Sequence, residues 1–101
     1  PMQIRQVSLK RWLIIDVLLT SKEHMVFESH GYLPRVVFSE DIVEHTQPRG
    51  FEWVLSSWQS VEYPELNPFV TRNSVYHLNG QGTHIAMKLQ DFAKLLKLRP
   101  D

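Results

Sequence analysis

The run Trp12-Leu-Ile-Ile-Asp-Val-Leu-Leu19 sets the terms for the whole chain, because a stretch this apolar with a single charge in it has to be buried. It is far short of the roughly 20 apolar residues that a membrane-spanning helix needs. Ile14, Ile15 and Val17 are β-branched, and side chains that are stiff at χ1 suit a pleated strand better than a helix. A buried strand is therefore expected. In it, Asp16 shares a face with Trp12, Ile14, Leu18 and Thr20, which suggests a partly solvated or edge position. A carboxyl buried there would have a raised pKa and would invite a catalytic role. A structural placement is the expectation. There is no cysteine, so disulfides and thiolate chemistry are excluded and the core alone must hold the fold. A chain of 101 residues, 43% apolar and 22% charged, reads as one ordered domain over 1–101. The missing cysteines fit a reducing compartment, and no small-residue cleavage site follows the apolar run. A cytoplasmic protein with no membrane partner is expected.

Thr20-Ser-Lys-Glu-His24 is polar and reads as a turn, with Met25-Val-Phe-Glu28 returning as a second strand of a hairpin. Arg35-Val-Val-Phe38 is another short extended piece. Ser39 is a good helix N-cap, and Glu40 and Asp41 sit where the helix dipole favours acids. This predicts a short middle helix over about 39–47, with Ile42 and Val43 inward and Pro48 and Gly50 ending it. Pro64 and Pro68 bracket a loop. Phe69-Val-Thr71 and Ser74-Val-Tyr-His-Leu78 look like two arms joined through Arg72-Asn73, and Asn79-Gly-Gln-Gly82 is a second turn. Thr83–Lys88 alternates as a strand does, with Ile85 and Met87 on one side. Leu89, Phe92, Ala93 and Leu96 then fall on a helical stripe. A single helix over 83–98 competes with this, but strand then helix (about 89–98) is the preferred reading. The expected fold is α+β: a curved antiparallel sheet of five or six strands, with the C-terminal helix across one face.

Several residues could carry chemistry. His77 and His84 flank the Asn79–Gly82 turn and would face each other if it closed a hairpin, the starting point for a metal site or an enzyme. No acidic residue lies between Glu65 and Asp91 to complete a ligand set, so surface histidines are the expectation, with no cofactor. Gly80-Gln-Gly82-Thr83 lacks the lysine of a phosphate loop and the third glycine of a dinucleotide fold, and a turn explains both glycines. No serine sits in a nucleophile-elbow motif. The net charge is zero but uneven: residues 36–70 hold one basic residue and six acidic ones, and the two flanking segments balance them. Arg72, Lys88, Lys94, Lys97 and Arg99 could contact phosphates, with Trp58, Tyr63, Phe69 or Tyr76 stacking on bases. Zero net charge and the lack of a nucleic-acid signature weigh against that.

Trp53-Val-Leu-Ser-Ser57, then Val70-Thr-Arg-Asn-Ser-Val-Tyr-His-Leu78 and Gly80-x-Gly82, resembles the pattern W-V-x-[ST]-S … V-T-x-[NS]-x-x-Y-x-L of small uncharacterised bacterial and phage proteins. The resemblance implies a bacterial or mobile-element origin and carries over no functional residue. The opening Pro-Met-Gln-Ile resembles the start of the tautomerases, which use an N-terminal proline amine. Those enzymes place a long helix where this chain has the 12–19 run, so a residue left by tag cleavage is the expected origin of Pro1. The leading expectation is a non-enzymatic protein-binding accessory or regulatory factor, of phage or mobile-element origin. It would meet its partner through an exposed sheet edge or through the acidic segment at Glu40, Asp41 and Glu44. An edge strand is also compatible with a homodimer. The alternative is a small nucleic-acid-binding domain that uses the basic residues named above.

Overall fold

The apolar run forms a strand buried on both faces, and the rest of the fold is arranged around it. The structure, a computed structural model, describes residues 4–45 and 53–97. In chain order the elements are β1 (Arg5–Lys10), β2 (Leu13–Leu18), α1 (Ser21–Ser29), β3 (Tyr32–Leu33), β4 (Arg35–Ser39), β5 (Asp41–His45), β6 (Val54–Leu55), β7 (Gln59–Ser60), β8 (Phe69–Val70), β9 (Ser74–Leu78), β10 (Thr83–Lys88) and α2 (Leu89–Leu96). The class is α+β, with two helices among the described residues. The strand pattern over 83–88 and the helix that follows it stand as expected.

The strands form two four-stranded sheets, ordered β5-β1-β9-β8 and β10-β2-β4-β6, with a small β3-β7 ladder. Ile14 on β2 and Val37 on β4 pack with Val7, Leu9, Phe69, Tyr76 and Leu78 of the other sheet, so one core lies between the sheets. The next residues along, Ile15 and Val36, point the opposite way and pack with Val17, Leu55 and Phe92 of α2. That alternation is the period-two geometry of a strand. It gives three layers: sheet, sheet, helix.

The expected single antiparallel sheet is corrected. β1 pairs with β9 in parallel, and β2 pairs with β10 in parallel. The two pairs form one parallel ribbon that leaves the first sheet at residues 11–12 and 79–82 and enters the second. Asn79 N donates to Leu9 O at 2.8 Å before the corner, and Thr83 N donates to Trp12 O at 2.9 Å after it. Strands that switch sheets at a bend are a known way of joining two layers. The Asn79–Gly82 segment is therefore a corner and closes no hairpin. Arg11 takes φ +45° to turn there, and Gly80 takes φ +67°. The Trp12 indole lies flat against Gly82: a Cβ on that residue would stand 2.1 Å from Cδ2 of the ring.

Two further expectations are corrected. The expected turn and strand over 20–28 are the helix α1. Thr20 and Glu23 form a complete capping box: Glu23 N donates to Thr20 Oγ1 at 3.2 Å, and Thr20 N donates to Glu23 Oε1 at 2.9 Å. Two first-turn donors are thereby satisfied. The expected middle helix is the strand β5 as far as His45, and its expected end at Pro48 and Gly50 lies outside the described residues. Ser39 does accept a bond from Asp41 N, at 2.9 Å, as an N-cap would, but its own hydroxyl donates to Lys10 O at 2.6 Å. The bond from residue i+2 serves a tight turn equally well. The β-branched pair Ile42-Val43 then runs antiparallel along β1. The turn through Arg72-Asn73 is as expected: β8 and β9 pair antiparallel, closed by Thr71 N donating to Ser74 O at 2.9 Å.

Candidate functional site

Sheet order decides which strands have a free side, and the four outer strands differ in what they offer. β6 and β8 are two residues long. β5 has five residues, but its register with β1 shifts between Ser8 and Leu9. This leaves Val43 without a register partner and 52% exposed. Short strands and bulges are the usual means of blunting an edge against further pairing. β10 has neither: it runs six residues in unbroken register with β2. Thr83 N bonds to Trp12 O, so Thr83, Ile85 and Met87 turn their backbone groups toward β2. In a parallel ladder the alternate residues face away, so His84, Ala86 and Lys88 turn their N–H and C=O groups toward the open side. Lys88 is followed directly by α2, which packs on β10 and β2.

A charged cluster ties this strand down from the side facing the other sheet. His84 Nε2 lies 2.6 Å from Asp16 Oδ2. Arg35 Nε donates to the other oxygen of the same carboxylate, and Arg35 Nη1 donates to Gln59 Oε1 at 3.1 Å. Gln59 is fully buried, and its amide donates to Tyr63 O at 3.0 Å and Glu65 O at 2.7 Å. The chain of contacts runs from β10 through β2 and β4 to the loop after β7. Burial pushes the Asp16 carboxyl up, but the hydrogen bonds and positive charge of Arg35 and His84 outweigh it and hold the pKa below its ordinary value. The raised pKa that a buried carboxyl alone would show is thus reversed by two partners that lie 19 and 68 residues away in the chain. Both carboxylate oxygens are engaged, and the cluster acts as a tether across three strands.

The acidic candidates lie on the other sheet. Glu40 and Asp41 form the corner between β4 and β5, where Arg11 Nε donates to Asp41 Oδ2 at 3.2 Å. Glu44 sits in β5 opposite Ser8. The acidic segment and one sheet edge are therefore the same place, and it is the bulged edge. The basic candidates are divided. Lys88 ends β10 and Lys94 lies on α2, 4.0 Å from Asp91, with Lys97 just beyond the helix. Arg72 stands in the β8–β9 turn, in a cleft of about 420 Å³ lined with Ile4, His30 and Tyr63 among others. Arg99 lies outside the described residues, as does Pro1. Of the aromatic candidates, Phe69 and Tyr76 are core residues, and Trp58 is wedged between Phe27 and Phe92 at centroid distances of 4.9 and 5.2 Å. Tyr63 is exposed.

The structure does not bring His77 and His84 together. His77 is on β9 and pairs with Gln6 Oε1 at 2.7 Å, and His84 is on β10 in the other sheet. The hairpin on which their joint site depended is the corner described above. Among the described residues, no three His, Asp or Glu side chains are grouped to hold a metal ion. No helix among them is long and apolar enough to cross a membrane. Sequence reasoning missed the β10 edge, because an alternating strand shows its period but not which neighbours it will have. It also missed Gln59, whose link to the cluster runs through Arg35, 24 residues away in the chain.

These features define a small α+β domain of two mixed sheets and a covering helix in which, among the described residues, one long regular strand is unpaired on its outer side. The chain belongs to the family Domain of unknown function (DUF6957), whose model matches residues 3–94. Comparison with curated proteins and with solved structures gave no match.

Proposed function

We propose that this chain is a non-enzymatic protein-binding domain, an accessory or regulatory factor that takes an extended segment of its partner along the open side of β10. The observation that carries the reading is the unbroken register of β10 at the outside of its sheet, next to three other outer strands that are short or bulged. Strand addition of this kind draws affinity from main-chain hydrogen bonds and specificity from alternate side chains. The tether from His84 to Asp16 and Arg35 supports it, because it orders the strand before the partner arrives and so lowers the entropic cost of docking. The phage or mobile-element origin belongs to the same proposal and rests on the motif resemblance alone.

The test is capture of partners from the native host, with and without nuclease treatment, using wild type and two variants. Ala86→Pro removes an outward N–H without touching the ladder to β2, and proline is tolerated at such edge positions. Glu40→Lys/Asp41→Lys/Glu44→Lys reverses the acidic segment. The expected result is a partner lost with Ala86→Pro and kept on charge reversal. Retention by Ala86→Pro with loss on charge reversal would move the contact to β5. Capture that nuclease abolishes would replace protein binding by nucleic-acid binding.

A further inference from the structure

Around the small β3-β7 ladder, three segments meet in the cleft of about 420 Å³ that holds Arg72. Tyr32 lies opposite Ser60 in the ladder, and Tyr63 N donates to Ser60 O at 3.2 Å, so the backbone around Ser60 carries both tyrosines. The bridge between Gln59 and Thr71 brings the β8–β9 turn, and with it Arg72, alongside the same strand. Gln59 also fixes the wall at Tyr63, because its buried amide donates to Tyr63 O and Glu65 O. Main-chain bonds and one buried amide thus set the frame of the cleft.

The side chains that line it are left over for a ligand. Arg72 and Glu62 line the same cleft, yet neither side chain has an ion pair or hydrogen bond among the described residues. The rings of Tyr32 and Tyr63 stack on no other aromatic among them, and Tyr63 is 51% exposed. Each group asks for a different chemistry. The Arg72 guanidinium only donates, in a planar fork that matches two oxygens of an anion such as phosphate. The Glu62 carboxylate only accepts, so it calls for hydroxyl or amine donors. A tyrosine face takes a planar ring. The volume lies within the range of small-molecule sites.

We propose that this cleft binds a nucleoside monophosphate, with Arg72 on the phosphate, Tyr32 and Tyr63 against the base, and Glu62 on the ribose hydroxyls. A lone anion would use Arg72 and leave the rings and the carboxylate empty. An aromatic amino acid carries its acid and its amine on one carbon. A nucleotide spreads ring, hydroxyls and phosphate along its length, as the cleft spreads their partners over β3, the turn after β7 and the β8–β9 turn. A free nucleotide and the phosphorylated end of a strand share this chemistry. None of the lining residues belongs to β10, so the site is independent of strand addition.

NMR titration of the isotope-labelled protein tests this, with adenosine monophosphate, adenosine, ribose phosphate, free tryptophan and an end-phosphorylated oligoadenylate as probes. The expected result is saturable binding of adenosine monophosphate, with amide shifts centred on Tyr32, Ser60, Tyr63 and Arg72. Adenosine and ribose phosphate each lack one end and should bind at least about fivefold more weakly. Arg72→Ala should weaken the monophosphate by a similar factor and leave adenosine unchanged. Tyr63→Ala should weaken the monophosphate and leave ribose phosphate unchanged. Lys94→Ala on α2 should alter nothing. All three side chains are exposed, and circular dichroism verifies the fold of each variant. The oligoadenylate binding more tightly than the monophosphate assigns the site to strand ends; equal or weaker binding assigns it to the free nucleotide. No binding of either, tryptophan bound more tightly than both, or binding indifferent to Arg72→Ala and Tyr63→Ala overturns the proposal.

Discussion

Replacing Gly82 with alanine tests the corner that organises both sheets. Three ring atoms of Trp12 lie 2.1–2.4 Å from where the new Cβ would be, well inside any real contact. The neighbour is the rigid body of an indole, packed against the core between the sheets. Its buried Nε1 has no hydrogen-bond partner among the described residues, so packing holds the ring and repacking is what would relieve the clash. Overpacking of this kind costs about 1–3 kcal/mol. For a domain of this size, that lowers the melting temperature by very roughly 5–20 °C. Gly80→Ala is the control. It has open space around its Cβ position but φ +67°, so its cost is the backbone penalty of about 1–2 kcal/mol. A double-mutant cycle with Trp12→Ala separates the two causes. Removing the indole should erase most of the Gly82→Ala cost and leave that of Gly80→Ala intact. If Gly82→Ala melts with wild type, or its cost persists without Trp12, the close approach is not what holds the corner.

Asp16→Asn should destabilise the domain by about 1 kcal/mol at neutral pH, a figure discounted for the partial exposure of the cluster. The Asp16 pKa is depressed in the folded state, so its contribution is complete above the unfolded value of about 3.9 and is lost as pH falls through the lower folded value. Denaturation curves of wild type and Asp16→Asn should therefore converge in acid; a constant gap down to pH 2 contradicts the assignment. Thr20→Ala should remove the capping box and weaken α1 by about 1 kcal/mol. No residue of α1 is fully buried, so the effect should be local. Amide exchange in the first turn of α1 should accelerate while the global melting point moves little, and equal exchange in both proteins would refute it.

What could be read from the sequence was whatever depends on neighbours along the chain. The change of period at residue 88, from two to 3.6, marks the end of β10 and the start of α2 without help from the rest of the fold. The tight turn at Arg72-Asn73 is equally local. Thr20-Ser-Lys-Glu23 is a capping box in plain view, and the apolar triplet Met25-Val-Phe27 obscured it by suggesting a strand. Ser39 misleads for a different reason: the bond it accepts from Asp41 N is common to a helix start and a tight turn. What settles the matter is the free side of β1, more than 30 residues away, which pairs with Asp41, Ile42, Glu44 and His45. Asp16 announces itself as the one charge in an apolar run, yet its pKa is set by Arg35 and His84 from two other strands. The open edge lies furthest from local reading. Thr83–Lys88 would alternate in the same way at the centre of a sheet. Only the parallel pairing of residues about 70 positions apart puts it outside β2, and only the brevity of β6 and β8 and the bulge at Val43 leave it the one long regular edge among the described residues. A docking strand of this kind is a property of sheet order, so a short motif in one chain will not reveal it, and perturbing the outward amide of Ala86 is a more direct probe of function than mutating any conspicuous side chain.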